Sequence, residues 1–351
     1  MFNTTMKAVV FEGPMQYAVK DVPVPQIETA GFLVKVMACG LCGSDLRTLQ
    51  SGHARITPPW IIGHEFSGQI VDIGNECSNV WQKGDIVTVG PVVYCGQCDY
   101  CRKEQFEFCL NYKEIAQQWP GGMAEYVAIP PQCLKSGNIR HVPGEADPIL
   151  ATVAEPLSSC INAQQRGEVG SGDVIVIIGC GPIGCLHAVL ARLNGAGKII
   201  MADISETKIN LARRFEPDAV IDTQKTDLVE QIKMMTNGKG ADIVVIAATA
   251  PELVVQSVEM AAKAGRILLF AGLPKDCSRP PVDMNIIHYN ALNLIGTTIY
   301  APRHFKMAID LIAAGKIQIE KIVTDRLPLL KFEEGVEKAI NGETLKVVFL
   351  P

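Results

Sequence analysis

The sequence predicts an α/β protein of two domains: a β-rich, barrel-like domain and a domain built on a doubly wound parallel sheet. The chain of 351 residues is long enough for two domains of roughly 100–200 residues each. Short strands closed by Gly or Pro occupy its first 150 residues. From about Ala151, apolar strands alternate with amphipathic helices, a pattern typical of a parallel sheet covered by helices.

The first 150 residues predict strands with few long helices between them. Apolar residues occupy alternate positions in many of these strands, as expected when one face is buried. The predicted strands are KAVVFEGP, GFLVKVMACG, GQIVDIG, DIVTVGPVV and AEYVAIP. Together they indicate an all-β, barrel-like arrangement.

Residues 151–296 predict the parallel-sheet domain. Its strands are DVIVIIG, KIIMAD, ADIVVIAAT, RILLFAG and LNLIGTT, and its helices are GPIGCLHAVLARLNGA, SETKINLARRF and ELVVQSVEMAAKAG. The tail then predicts the helices RHFKMAIDLIAAGKI and FEEGVEKAIN and a closing strand, LKVVFLP. We expect this tail to return to the β-rich part, so the first domain comprises residues 1–150 and 297–351.

Composition excludes several classes of protein. The net charge is -5 and no basic stripe is present, so nucleic acid is excluded as a partner. The N-terminal stretch lacks the basic start and long apolar run of a secretory signal. The longest apolar stretch, VIVIIGCGPIG, is shorter than the ~20 residues that a membrane span needs. We therefore expect a soluble, cytoplasmic protein.

Three glycines, Gly179, Gly181 and Gly184, form G-x-G-x-x-G between a strand and a helix. In this context they serve a tight turn, close approach to a pyrophosphate and close helix–strand packing. The helix N-terminus offers unpaired N–H groups and the positive end of its dipole to phosphates, and Pro182 and Ile183 of the same loop are included in the predicted cofactor site. A glycine-rich turn without a ligand is the alternative, and the flanking strand and helix argue against it.

Asp203 ends the next strand, nineteen residues beyond Gly184. A carboxylate at this point accepts hydrogen bonds from an adenosine ribose and repels a 2'-phosphate. No arginine stands beside it in DISETK, so the sequence favours NAD over NADP. Lys208 is predicted to lie over the same ribose, with a solvated helix lysine as the alternative.

Four of the twelve cysteines are clustered in one short segment. Cys95, Cys98, Cys101 and Cys109 give C-x-x-C-x-x-C-x7-C. Without a secretory signal, a metal site is favoured over extracellular disulfides. Four thiolates close a tetrahedral, structural zinc site. An iron–sulfur cluster is the alternative, but the polar and charged residues between the cysteines indicate an exposed lobe.

Cys42 lies in GLCGSD, His64 and Glu65 lie in GHEFSG, and Glu155 lies in AEPLSS. With the four-cysteine lobe and GCGPIG, these motifs resemble the zinc-dependent medium-chain dehydrogenases in order and spacing over essentially the whole chain. The resemblance implies a GroES-like domain and a Rossmann domain, with zinc and substrate in the cleft between them. It also implies an enzyme of the polyol (sorbitol and related) or threonine dehydrogenase branch, with the polyol branch favoured, and a homodimer or homotetramer.

By this resemblance, Cys42 and His64 match two ligands of the family's catalytic zinc. Glu155 stands where many alcohol dehydrogenases have a third ligand, a cysteine, and Glu65 is the other carboxylate near the metal. His64 and Glu65 are neighbours, and neighbours in a regular strand point to opposite faces, so both can bind one ion only if the chain bends. Which glutamate is the direct ligand is left open. Two zinc ions per chain are expected, one catalytic and one structural.

Zinc with an open fourth position is a Lewis acid that lowers the pKa of bound water to roughly 7, and a bound alcohol should respond similarly. The expected reaction is hydride transfer from the activated alcohol to NAD. The resemblance makes Ser44 the first group of a proton relay, whereas a serine there that merely caps a helix is the alternative.

The chain departs from the family pattern at the relay histidine, which is replaced by Arg47. Arginine does not titrate near neutrality, so proton release must use water or another group, and His53 has no motif to recommend it. Sorbitol dehydrogenases have an aromatic residue where this chain has Thr48. They also have an Arg-Tyr pair where this chain has Ile299-Tyr300. These losses weaken the assignment of a neutral polyol.

We hypothesise that Arg47 pairs with a phosphate or carboxylate of the substrate, although it is equally suited to the cofactor pyrophosphate. The leading hypothesis is thus an NAD- and zinc-dependent polyol dehydrogenase. Its alternatives are the same chemistry on a phosphorylated sugar alcohol or on threonine, and, more remotely, a zinc-free or non-catalytic nucleotide-binding protein.

Overall fold

A computed structural model describes residues 4–135, 137–144 and 146–351. The first three residues, part of the stretch inspected for a secretory signal, lie outside the described residues. Two compact units divide the chain. The first unit comprises Met1–Ser158 and Tyr300–Pro351, and the second unit comprises Ser159–Ile299.

The β-strands are short and lie mostly in the first unit. In chain order they are β1 (Thr5–Gly13), β2 (Gln16–Pro23), β3 (Phe32–Gly40), β4 (Trp60–Ile61), β5 (Glu65–Ile73), β6 (Ile86–Val89), β7 (Val92–Val93), β8 (Lys113–Glu114), β9 (Tyr126–Ile129), β10 (Ile139–His141), β11 (Val174–Ile178), β12 (Lys198–Asp203), β13 (Ala219–Asp222), β14 (Ala241–Ile246), β15 (Ala261–Leu269), β16 (Asn293–Gly296), β17 (Val323–Pro328) and β18 (Lys346–Leu350).

The α-helices are longest in the second unit and the tail. They are α1 (Gly43–Ser51), α2 (Asp99–Arg102), α3 (Pro131–Lys135), α4 (Pro148–Ala151), α5 (Ala154–Arg166), α6 (Pro182–Leu193), α7 (Glu206–Ala212), α8 (Leu228–Met235), α9 (Glu252–Met260), α10 (Met284–Asn290), α11 (Pro302–Ala313) and α12 (Phe332–Ile340). Within the described part of the chain, no helix combines the length and apolarity needed to cross a membrane.

The first unit is built on a seven-stranded sheet of order β10-β6-β5-β3-β18-β17, with β9 pairing with β3. Smaller sheets of order β2-β1-β4 and β7-β8 accompany it. Fully buried aromatic side chains such as Phe32, Phe66 and Phe349 fill its core. Because β18 pairs with β3, with Phe349 opposite Cys39, the C-terminal strand lies in the same sheet as the strand that leads to Cys42.

The second unit contains one parallel sheet of order β13-β12-β11-β14-β15-β16. The strand order reverses between β11 and β14, the point where doubly wound sheets bind ligands at the carboxyl ends of their strands. Val176, Ile200 and Val244 are wholly buried in its core, as strands covered by helices on both faces require.

The predicted fold class is confirmed, with differences in individual elements. The helix predicted from Glu252 to Gly265 ends at Met260, and the chain from Ala261 onward is already strand β15. Ala264 within that segment has φ +59°, which interrupts any helix there. The sequence analysis also missed β2, whose residues are at most half-buried because it lies at a sheet edge.

Candidate functional site

Cys42, His64 and Glu65 are brought together in the first unit. Cys42 follows β3 and caps α1, while Glu65 is the first residue of β5. One ligand atom from each of the three side chains lies within 4.8 Å of the others. Gly63 has φ +95°, a left-handed conformation that provides the bend this chain needs before His64. Neighbouring residues 64 and 65 therefore contribute to one cluster.

Asp45 fixes the orientation of this cluster. One oxygen of its buried carboxylate accepts from the backbone N–H of Cys42 at 3.0 Å, and the other lies 3.2 Å from His64 Nδ1. A carboxylate at Nδ1 selects the tautomer that leaves Nε2 free for a metal ion. Burial by itself lowers the pKa of His64, but the charges of Asp45 and Cys42 and hydrogen bonds with both raise it well above its ordinary value.

Glu65 forms a buried ion pair with Lys346 of β18. The Lys346 Nζ lies 2.9 Å and 2.7 Å from the two carboxylate oxygens and also donates to the Leu41 carbonyl at 3.1 Å. Both side chains are almost wholly shielded from solvent. A Cβ atom at Gly40 would meet Glu65 Oε2 at 2.4 Å, so glycine at this position makes room for the carboxylate.

Glu155 lies in the first turn of α5, outside the group formed by Cys42, His64 and Glu65. Burial raises its pKa to about 7, the charge of His64 opposes this shift, and the charge of Glu65 adds to it. Tyr300, which belongs to the Ile299-Tyr300 pair that replaces the Arg-Tyr pair of sorbitol dehydrogenases, is fully buried. Its pKa is raised by burial and by the charge of Glu155, so the two side chains occupy the same interior region.

Ser44 and Arg47 lie three residues apart on α1 and therefore on one face of that helix. The Ser44 hydroxyl lies 3.4 Å from His64 Nε2. Thr48 is buried, and its hydroxyl donates to the Ser44 carbonyl at 3.0 Å. Arg47 is exposed. The pKa of His53 is lowered by burial and by the charges of Arg55 and Arg47, so these three side chains lie near one another.

Cys95, Cys98, Cys101 and Cys109 converge in a second cluster, with one ligand atom of each within 4.8 Å of the others. The Cys95 N–H donates to Cys109 Sγ at 3.3 Å. Hydrogen bonds from the backbone N–H groups of Cys101 and Leu110 lower the pKa of Cys98 to about 6, which favours the thiolate. Four thiols in such a cluster are suited to a structural zinc ion.

The glycine loop of the second unit follows β11 and leads into α6. Gly179 has φ +111°, and a Cβ atom at Gly184 would lie 1.8 Å from the Gly179 carbonyl oxygen. Both glycines are thus required by the fold itself. A Cβ at Gly181 would meet nothing within 4 Å. The space above Gly181, beside the free N–H groups in the first turn of α6, is therefore suited to a phosphate group that approaches the backbone closely.

Asp203 is held against the glycine loop. Its carboxylate accepts from the backbone N–H of Cys180 at 2.7 Å and from that of Ser205 at 2.8 Å. Lys208 is half-buried, and its charge acts on the thiol of Cys180 in the same loop. The acidic side chain and the lysine predicted for the ribose therefore lie beside the predicted phosphate-binding loop.

Sequence reasoning missed three residues of the metal-site region. Asp45 lies inside the quoted GLCGSD motif, three residues after Cys42, where it forms a capping box. Lys346 is the one charged residue of LKVVFLP, and a lysine in an apolar strand is a sign of a buried partner. Glu114 had no sequence signal; its pKa is raised by burial and lowered by the charges of His64 and Arg55.

The second unit is a parallel sheet with a glycine loop suited to phosphate, and the first unit holds a thiol–imidazole–carboxylate cluster. These two features together are typical of a dehydrogenase that uses a metal ion and a dinucleotide. Family comparison agrees with this class. Residues 29–137 match the alcohol dehydrogenase GroES-like domain, and residues 182–314 match the zinc-binding dehydrogenase domain. The chain belongs to the zinc-binding alcohol dehydrogenase family.

Known relatives match over nearly their full length. The D-arabitol-phosphate dehydrogenase of Enterococcus avium is 33% identical, over 99% of this chain and 97% of the relative. The L-threonine 3-dehydrogenase of Bacillus subtilis is 30% identical over 100% of both chains. A zinc-binding dehydrogenase of Sinorhizobium meliloti, solved with NADP, superposes with a TM-score of 0.91 at 30% identity, covering 99% of this chain and 100% of that chain.

The protein is therefore an alcohol dehydrogenase that uses zinc and a nicotinamide dinucleotide and acts on a small-molecule alcohol. The predicted class of enzyme and the polyol branch of the family are confirmed.

We predict that Lys346→Met destabilises the first unit by about 3–5 kcal/mol, because it leaves the Glu65 carboxylate buried without a cation. The double variant Lys346→Met/Glu65→Leu should recover most of that loss, since no buried charge remains. Urea unfolding of the full chain measures both. Lys7→Met, which breaks the exposed pair with Asp21, serves as the control and should cost less than about 1 kcal/mol. An equal loss in the single and double variants would show that packing, rather than charge, sets the effect.

Proposed function

We propose that this enzyme oxidises a secondary alcohol of a polyol by transferring a hydride to NAD. The observation that carries the proposal is the convergence of Cys42 and His64, whose ligand atoms lie within 4.8 Å of each other and of a Glu65 carboxylate oxygen. The names of two relatives, D-arabitol-phosphate dehydrogenase and L-threonine 3-dehydrogenase, support a substrate with a secondary hydroxyl beside further polar groups.

The donor atoms fit zinc. Thiolate, imidazole and carboxylate are zinc's ordinary ligands, and three protein ligands are typical of a catalytic site. Cys42 and His64 would hold the ion together with Glu65 or Glu155, and the four-cysteine cluster would hold a second, structural ion. When bound, the first ion supplies Lewis acidity that lowers the pKa of a coordinated hydroxyl. Thiols kept for metal binding also favour a reducing compartment, the cytoplasm.

We choose Glu155 as the third protein ligand of the proposed catalytic zinc, beside Cys42 and His64. Glu65 already has both carboxylate oxygens bonded to Lys346, so its charge is balanced within the fold. Glu155 has no ion pair of this kind among the described residues, and burial raises its pKa to about 7. A buried carboxyl group with this environment gains most from a nearby divalent cation.

The chain's own residues position the substrate hydroxyl and receive its proton. Asp45 fixes the His64 ring through Nδ1, and the Ser44 hydroxyl lies 3.4 Å from Nε2 of the same ring. Ser44 Oγ is therefore the first acceptor for the substrate proton. Thr48 holds the Ser44 carbonyl, which keeps this turn of α1 rigid. Arg47 cannot accept the proton. The proton therefore passes from Ser44 to water or to another group.

We predict about two zinc ions per chain. We also predict that NADH forms faster from polyols, their phosphates or threonine than from simple secondary alcohols. Cys42→Ser should lose one zinc ion and nearly all activity while the fold persists. Cys98→Ser should lose the other ion and thermal stability. Metal analysis and NADH absorbance across this substrate panel provide the measurements. A Cys42→Ser enzyme with both zinc ions and the wild-type rate would contradict the assignment, and failure of the whole panel would contradict the function.

NAD is the proposed cofactor, rather than NADP, because Asp203 offers a carboxylate fixed by two backbone N–H groups. We expect wild-type kcat/KM to favour NAD, and Asp203→Ser to reduce kcat/KM for NAD by about 10- to 100-fold, as loss of a hydrogen bond to a charged group implies. The NADP value should rise in the same variant, because repulsion of the 2'-phosphate is removed. Glu206→Ser, an exposed acidic residue on α7, is the control. A wild-type enzyme that prefers NADP would overturn the proposal.

We also propose a homodimer or homotetramer that assembles through the second unit. Strand β16 is an edge of the parallel sheet, and Leu294 on it is 37% exposed. Met284 and Tyr289 of the neighbouring helix α10 are 67% and 76% exposed. Open edges that carry apolar residues pair readily with a second chain. Leu294→Lys should shift the mass measured by light scattering toward the monomer, and a monomeric wild type would refute the interface.

A further inference from the structure

Arg47 and Arg55 are exposed arginines, and neither forms an ion pair with a carboxylate among the residues that the structure describes. The arginine ion pairs in the described part of the chain involve Arg102, Arg192, Arg266, Arg303 and Arg326. Arg47 lies on the α1 face that carries Ser44, and the backbone N–H of Arg55 donates to His53 Nδ1 at 3.2 Å. The charges of both arginines lower the pKa of His53, so the two guanidinium groups lie in the same region, around His53.

Arg55 is held in place by an aromatic ring. Its guanidinium carbon lies 5.0 Å from the centre of the Tyr112 ring, within the range of a cation–π interaction. This contact uses one face of the guanidinium and leaves its N–H groups free to donate. An arginine oriented in this way is suited to a bidentate bond with an anion.

Glu114 lies on the same side of the chain as Tyr112. Tyr112 precedes β8 and Glu114 ends it, and alternate residues of an extended segment point to one face. Lys113 between them points the other way, with its Nζ 5.7 Å from the Trp119 ring centre. Glu114 is half-buried, and the charges of His64 and Arg55 both act on its carboxyl group. The Glu114 carboxyl group therefore lies within electrostatic reach of both His64 and Arg55.

We propose that Arg47, Arg55 and Glu114 form the subsite that selects the substrate, and that they select an alditol monophosphate. Arg55 and Arg47 bind the phosphate group, and Glu114 accepts hydrogen bonds from hydroxyls between that group and the reacting carbon. A phosphate monoester carries close to two negative charges at neutral pH, and two unpaired guanidinium groups match them. The proposal rests on the proposed function, whose alcohol site it extends.

Kinetics on matched alditol and alditol monophosphate pairs of five and six carbons tests the subsite in the zinc-loaded enzyme. Wild-type kcat/KM should be at least about 10-fold higher for the phosphate of each pair. Arg55→Gln and Arg47→Gln should each raise KM for the phosphate by about 10- to 100-fold, with little change for the neutral alditol. Glu114→Ala should raise KM for both members. Arg326→Gln, which removes an exposed arginine of β17, is the matched control and should change neither.

Equal kcat/KM for the two members of each pair, or equal losses for both in Arg55→Gln, would overturn the subsite while leaving the dehydrogenase intact. A preference for hydroxy acids over alditol phosphates would overturn the choice of phosphate.

A binding measurement without turnover separates the subsite from the proposed function. Trp60 and Trp119 lie near the segment that contains Tyr112 and Glu114. The Trp60 indole N–H donates to the Ala116 carbonyl at 3.0 Å, and the Trp119 ring lies beside Lys113. Alditol monophosphate should therefore change tryptophan fluorescence in the absence of cofactor, and Arg55→Gln should weaken its binding about 10-fold or more. Binding without NADH formation would defeat the proposed function and retain the subsite. Absence of binding in a zinc-loaded, active enzyme would defeat the subsite alone.

Discussion

The buried ion pair between Lys346 and Glu65 is the contact on which the architecture of the first unit depends. Its partners are separated by 281 residues, so it forms only when the C-terminal strand returns to the sheet that begins near the N-terminus. Taking both charges out of water is costly, and the close contact with two oxygens and the Leu41 carbonyl offsets that cost. Because an incorrect register of β18 would leave both charges buried and unpaired, the pair also specifies the register.

The same ion pair sets the charge balance around the metal cluster. The acidic side chains whose charges act in this region are Asp45, Glu65, Glu114 and Glu155. Lys346 balances Glu65, and His64 faces Asp45, which leaves Glu155 without an ion-pair partner of its own in the described residues. Burial accordingly raises the pKa of Glu155 to about 7. A divalent cation held by Cys42 and His64 would supply the missing positive charge.

Features that are local in the sequence were predictable, and features created by topology were not. The glycine loop and the four-cysteine lobe lie within short segments with fixed spacing, so spacing alone identifies their residues. Cys42 and His64 needed the family resemblance, because they lie on separate elements. Lys346 and Glu114 reach the site only through strand order and through the direction of β8, and no spacing rule indicates either residue. The end of α9 was misplaced because Ala261–Leu269 begins with Ala-Ala-Lys-Ala, which has high helix propensity although it forms a strand.

The replacement of the family's relay histidine by Arg47 exchanges one physical role for another. A histidine near neutrality can accept and release a proton, whereas an arginine stays charged and offers fixed N–H donors. Under the proposed function, the substrate proton then leaves from Ser44 through water, a path that needs no further titratable side chain on α1. In return, α1 presents a permanent positive charge on the face that carries Ser44. Under the proposed subsite, that charge and Arg55, held over Tyr112, bind the anionic group of the substrate, so a single residue change links proton release to substrate choice.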